Sequence, residues 1–272
     1  GRGTGSIGAL EEAMATPGTS ETVEIAHPAA GPLRLALAVG ACRLAVKPGD
    51  AEPWVAGSYA DPSGALPYKV VRDGGSVRIT QEARVVEMLG LFKGAPAFDL
   101  RLGTGRPFDL SVQSGASDNT LDLGGLPLTG LTLRQGAGKL ACRFSAPNPA
   151  EMARLEVEAG AVGLEIGGLG HANFGEMRLD GGAAAYHLDF SGALRRDGRV
   201  RISTGVSAVT LRIPAGTAAK VFPEAILGGL DVGDGFTKKE GAFCTQAALA
   251  GGAPVLIVEA KVALGSLTLK VA

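Results

Sequence analysis

The chain has 272 residues, 46% hydrophobic and only 5% aromatic, with 42 glycines and a formal net charge of −1. That length lets one core bury roughly 70 to 75% of the unfolded surface, so stability requires neither a disulfide nor a metal. The near-neutral charge, without a basic stripe, argues against a nucleic acid or anionic membrane held by bulk electrostatics, and no run of 18 or more apolar residues is available to span a bilayer.

Residues 1–31 are rich in Gly, Thr, Ser, Ala and Pro and predict a flexible N-terminal spacer, with one short helix over residues 9–14. The chain opens on Gly rather than Met and lacks a charged-then-apolar leader. That is the expectation for a mature domain whose leader or anchor has been cut away or left out.

Residues 32–108 predict an N-terminal capping β region. The run LRLALAVGACRLAV from Leu33 to Val46 reads as a repeat with its Gly corner displaced. It matches in character the last run, EAKVALGSLTLKV from Glu259 to Val271. Aligning Gly40 with Gly265 sets Cys42, Leu44 and Val46 against Leu267, Leu269 and Val271, so these runs are expected to be terminal coils. Between the first coil and the repeats, strands are expected at residues 53–59, 68–71 and 76–80, with Arg72-Asp73-Gly74-Gly75 as a hairpin turn. The apolar segment 85–93 reads as a loop or short helix, and Phe98 to Leu102 as a further strand.

Residues 109–272 predict the solenoid itself with a C-terminal cap, one body continuous with the region from residue 32. Five units follow one another: LSVQSGASDNTLDL, LTLRQGAGKLACRF, LEVEAGAVGLEI, MRLDGGAAAYHLDF and VRISTGVSAVTLRI. Their turn glycines, Gly115, Gly136, Gly160, Gly182 and Gly205, fall 21, 24, 22 and 23 residues apart. Strand-like units at that spacing cannot each bury an apolar row alone, so they must stack. Period-two alternation directs Leu131, Leu155, Met177, Val200 and their equivalents inward, while Arg134, Glu158, Arg178 and Arg201 face solvent. Links such as Gly124–Pro127, Ala146–Pro149 and Arg196–Gly198 are expected at the surface. Residues 220–232 read as a partial repeat, and 233–252 as an irregular excursion over the side of the stack. The expected class is therefore all-β, a stacked β-solenoid with capping strands at both ends.

Signals for chemistry are sparse. Cys42, Cys142 and Cys244 lie far apart, and two of them occupy inward strand positions, so buried thiols are expected; one disulfide remains open. No zinc-type Cys or His spacing is present. His187 with Asp189 is the only neighbouring His–Asp pair, and no Ser stands in a GxSxG elbow to join it. Glycoside hydrolysis would need two carboxyls roughly 5 to 9.5 Å apart. Asp118, Asp122, Glu156, Glu158, Glu165, Asp180 and Asp189 could meet across coils, yet they alternate with arginines as a solvated face does. Trp54, Tyr59 and Tyr68 are the only aromatic cluster that could stack a sugar, and they read first as core of the end domain. No catalytic, cofactor or metal residue is assigned.

Phe98–Leu102, the run LDLGGLPLTGLTLRQGAGKLACRFSAPN from Leu121 to Asn148, LGHANFGEMRLDGGAAAYHLDFSG from Leu169 to Gly192, and VSAVTLRIP from Val206 to Pro214 together resemble the toastrack repeat domain. The domain occurs in bacterial envelope proteins provisionally labelled adhesins, and is related to the C-terminal domain of LiaF-type cell-wall-antibiotic response regulators. The resemblance spans residues 33–272 and implies an all-β stack on the outer side of a membrane, commonly with a leader or lipoprotein anchor. It implies no active site. The expected role is thus a non-catalytic, extracytoplasmic scaffold for an envelope protein or surface polymer, with self-association through its end coils open; the alternative is a carbohydrate-active β-solenoid enzyme.

Overall fold

The structure, a computed structural model, describes residues 20–64, 66–81 and 94–272. The helix expected at 9–14 and the segment 85–93 lie outside the described residues.

Each repeat is one long strand bent at its middle. Strands β8 (Phe108–Asp122), β9 (Leu128–Arg143), β10 (Met152–Gly167) and β13 (Gly198–Ile213) pass through a corner and stack in parallel. The fourth unit is split at its corner into β11 (Phe174–Gly181) and β12 (Ala184–Asp189). Register follows the repeat: Leu131 lies beside Leu155, Leu155 beside Met177, and Met177 beside Val200.

The bend has a parity signature. Inward residues come every second position along the first limb, then three apart at the corner: Ala159 to Val162, and Thr204 to Ser207, with the two residues between them outside the core. A straight strand would turn its second limb inside out, so the extra step keeps both limbs facing one interior. All of the inward residues named above, from Leu131 to Val200, are buried in a single hydrophobic cluster.

The corner glycines stack on one another. A Cβ on Gly160 would lie 2.3 Å from the Gly136 carbonyl oxygen, and one on Gly182 2.7 Å from that of Gly160. None of the five adopts a left-handed φ; close approach of successive coils, rather than backbone conformation, excludes a side chain at Gly160 and Gly182. Gly40 belongs to this column, 3.4 Å below a Cβ on Gly115, so the corner of the first coil is not displaced.

At the N-terminal end β2 (Leu33–Val39) and β3 (Arg43–Pro48) form the level beside β8. Beyond β2 come β6 (Ser76–Gln81) and then β5 (Tyr68–Asp73), antiparallel through the expected Asp-Gly hairpin with Gly74 at φ 54°. Beyond β3 come β7 (Ala97–Leu102), then antiparallel β4 (Val55–Ala60) and β1 (Ser20–Ile25). Val23 and Ile25 of β1 are buried. The spacer expected over residues 1–31 is therefore corrected: the folded body includes residues from Ser20, because the alternating SETVEI run closes one limb.

The C-terminal end departs from the sequence order. The last strand, β17 (Val255–Val271), inserts between β13 and β14 (Ala218–Val232), parallel to both. Strand β14 is thus a full coil and the outermost one, and β17 is not terminal. Its pairing also makes Leu267 and Leu269, not Leu269 and Val271, the equivalents of Leu44 and Val46. The excursion at 233–252 is ordered as β15 (Phe236–Lys239), antiparallel β16 (Ala242–Thr245) and the one-turn helix α1 (Gln246–Leu249), with β16 paired to the start of β14.

Two links expected at the surface are partly interior. Leu126 and Asn148 are fully buried. The Asn148 amide donates to the Leu128 and Ala172 carbonyls at 2.9 and 3.1 Å, and its side-chain oxygen accepts from the Leu128 and Ala150 N–H groups at 3.2 and 2.9 Å. It joins three successive coils where their loops meet.

Candidate functional site

The solvent faces of the two limbs carry the polar side chains in columns at strand spacing. On the first limb Gln113, Arg134, Glu158, Asp180 and Ser203 stand in register, and beside them Glu156, Arg178, Arg201 and Glu259. Most of these charges are neutralised locally. Arg134 pairs with Glu158 at 3.1 Å, Arg178 with Asp180 at 2.6 Å, and Arg201 with Glu259 at 3.3 Å. All of these side chains are more than a third exposed, so each pair contributes about 0–1 kcal/mol.

Between this face and the corner runs an open groove of about 850 Å³, floored by Gly136, Gly160, Gly182 and Gly205 and walled by Arg134 and Glu158. Its floor is main chain because the coils need glycine there. On the second limb a trough of about 810 Å³ crosses Ala45, Thr120 and Ala141 between Asp99 and Glu165. Both are shallow and elongated along the stack, a shape that fits an extended chain better than an enclosed small molecule.

The carboxylates considered for glycoside chemistry are distributed between the two limbs, Glu158 and Asp180 lining the first-limb groove and Asp122 and Glu165 the second-limb trough. Glu158 and Asp180 are neighbours in register on the first limb, each in its own arginine pair. Asp118 accepts from the Lys139 N–H at 3.1 Å, and Asp189 lies 3.8 Å from Arg212 on the second limb. Asp122 is half-buried; burial acts to raise its carboxyl, but hydrogen bonds from Ser145, Gly124 and Arg143 outweigh it and hold the group below the usual carboxylate range. A group so held serves poorly as a general acid at neutral pH. His187 faces solvent between Glu165 and Thr210, and Asp189 is directed to Arg212.

The aromatic cluster divides in two, and both parts are core. Tyr59 packs on Tyr68 and Phe98 at 5.1 and 4.4 Å, while Trp54 packs on Phe108 and His27 at 5.7 and 5.6 Å. Trp54 and Tyr59 are buried, so neither offers a ring to a sugar. The three cysteines are buried and unpaired. Desolvation pushes the Cys42 and Cys142 thiols up to about 12, which keeps them protonated and inert at neutral pH. Among the described residues no cluster of His, Cys, Asp and Glu could hold a metal ion.

One carboxylate was not singled out by the sequence. Asp109 reaches over Gly130, its Oδ2 2.1 Å from where a Cβ on that glycine would stand. Burial raises its pKa against the pull of Arg34 and Arg154 on either side. The signal is the missing side chain at position 130, visible only once the two strands are in register.

A family model described as the N-terminal domain of toast_rack, DUF2154, matches residues 14–167. The chain belongs to that family. Its matched part contains the toast-rack coils β2 to β10 with their cap, and the coils from β11 onward continue the same stack. Two solved structures are similar: a protein from Clostridium sporogenes ATCC 15579 provisionally described as a cell adhesion protein, and one from Bacteroides fragilis NCTC 9343 provisionally described as an adhesin. The first has 16% identity and a TM-score of 0.46, covering 94% of this chain and 100% of its own; the second has 11% and 0.42, covering 94% and 98%. No curated protein matches the sequence. Among the described residues no helix is long and apolar enough to cross a membrane.

Proposed function

We infer that this toast-rack chain is a non-catalytic protein of the bacterial cell envelope, working outside the cytoplasmic membrane as an adhesin or envelope-stress scaffold. It presents a rigid β face to an envelope protein or surface polymer. The observation that carries the reading is the pair of long outer faces, crossed by shallow grooves, on which Asp118, Asp122, Glu158, Asp180 and Asp189 are each engaged by a neighbouring arginine or a main-chain N–H. Such a face provides many weak contacts along an extended partner, and the stacked core keeps those contacts at fixed spacing.

The test is binding of the full chain to a panel of cell-wall polymers and envelope fractions, run beside reducing-sugar and unsaturated-sugar assays on the same panel. Saturable binding without product, weakened when Arg134 and Glu158 are both changed to Ala, is the expected result. Release of sugar would replace this reading with the carbohydrate-active one.

A further inference from the structure

Outward positions on the first limb are polar by the logic of the repeat, and one column breaks that pattern. Glu156, Arg178, Arg201 and Glu259 stand in register on successive coils, and the next rung, on β14, is Phe222. It is the only exposed aromatic side chain among the described residues, at 40%. The core has no use for it: Val221, its neighbour on the strand, fills the interior, so alternation directs Phe222 outward.

Phe222 lines a groove of about 610 Å³ on the outer face, a volume within the range of small-ligand sites. Every charged side chain lining that groove is paired: Arg178 with Asp180 at 2.6 Å, Arg201 with Glu259 at 3.3 Å, and Lys261 with Glu224 at 3.2 Å. The groove is therefore neutral, with donors and acceptors side by side around an apolar ring. A guanidinium has more N–H donors, and a carboxylate more acceptor sites, than one mutual bond uses, so each pair keeps capacity for a further partner. Gly241, at φ 82° in the turn between β15 and β16, also lines the groove. Asp180 and Ser203 line both this groove and the one floored by the corner glycines, so the two form one path along the limb.

We propose that Phe222 is the stacking platform of a binding site for an uncharged glycan, with Arg201 and Glu259 as its polar contacts. The inference rests on the reading that the outer faces hold an extended partner, and it names the chemical class of that partner. A sugar ring has a face of C–H bonds and a rim of hydroxyls that both donate and accept. The face covers the Phe222 ring and removes its apolar area from water, while the rim accepts from Arg201 and donates to Glu259. An anionic polymer would meet as many carboxylates as cations. An apolar peptide would bury three ion pairs without supplying partners for their open sites.

Isothermal titration of the full chain with neutral hexasaccharides of glucose, mannose and N-acetylglucosamine, and with oligogalacturonate as the charged counterpart, tests this. Saturable binding of at least one neutral probe is expected, unchanged between about 0.05 and 0.5 M salt because the groove carries no net charge. Phe222→Ala should weaken binding by about tenfold, and Phe222→Trp should retain it. Glu259→Ala, at an exposed position outside the core, should also weaken it, which reads the site even where Phe222→Ala lowers the melting temperature. Neutral-probe binding that survives both Ala substitutions but falls in Arg134→Ala/Glu158→Ala would overturn the Phe222 site and leave the outer face as a polymer binder. Binding of oligogalacturonate alone, or of an envelope protein and none of the neutral probes, would overturn the glycan assignment. A chain that binds no polymer and no envelope fraction would remove the broader reading as well.

Discussion

Asn148 and Asp109 show how single side chains serve the stack in opposite ways. Asn148 supplies two donors and accepts twice, all in a buried link, so Asn148→Ala strands several polar main-chain groups at once. Each orphaned group costs about 1–3 kcal/mol, and a loss of about 3–5 kcal/mol in urea unfolding is expected. Asn148→Asp should also destabilise, because a carboxylate turns an acceptor toward the Leu128 and Ala172 carbonyls. Asp109 behaves otherwise: its raised pKa means that folding disfavours the charged form, so this group stabilises at low pH and that contribution fades as pH rises through the folded value. Asp109→Asn should therefore be neutral or slightly stabilising at pH 7, read by thermal melting.

Cys42, Cys142 and Tyr59, all pushed up to about 12 chiefly by burial, follow the same sign at alkaline pH. The folded chain holds these protons longer than the unfolded one, so their contribution is complete below about pH 9 and is lost as pH climbs toward 12. Stability should fall over that window, and Cys142→Ala should flatten the fall. A thiol reagent at pH 7.5 should find no reactive cysteine until denaturant is added.

At the scale of the coil, the corner glycines divide by how closely each approaches the one below. Gly160→Ala sets a Cβ 2.3 Å from a carbonyl oxygen, whereas Gly205→Ala meets one at 3.4 Å, ordinary contact. The first should cost about 2–4 kcal/mol by parting two coils, the second less than about 1 kcal/mol. Equal costs would mean that the glycines serve local conformation instead of stacking.

The coils are also where sequence and structure can be compared most directly. Alternation along Leu131, Leu133, Leu140 and Cys142, repeated from unit to unit, makes inward and outward faces readable, because period two and burial are the same physical fact. The insertion of β17 between β13 and β14 is not readable: parallel coils of like pattern are interchangeable partners, and the connection through β15, β16 and α1 has no period of its own. Asn148, flanked by two prolines, carries the composition of an exposed turn, and only the closing of adjacent loops buries it. The outer charges were legible as a solvated face, but their pairing depended on register. Asp109 over Gly130 depended on it entirely.

At the scale of the molecule, the stack of coils is a rod with two patterned sides. The sides suit an extended partner, which would make many weak contacts at the fixed spacing of the stack. That role requires the rod to stand outside the membrane. The buried native thiols make that directly measurable, since a cysteine placed at exposed Ala208 on the outer face would be the one reactive thiol among the described residues. The full-length gene product carrying Ala208→Cys should be labelled on intact cells by a membrane-impermeant maleimide, to the same extent as after lysis. Labelling that appears only after lysis would place the face in the cytoplasm and contradict the account.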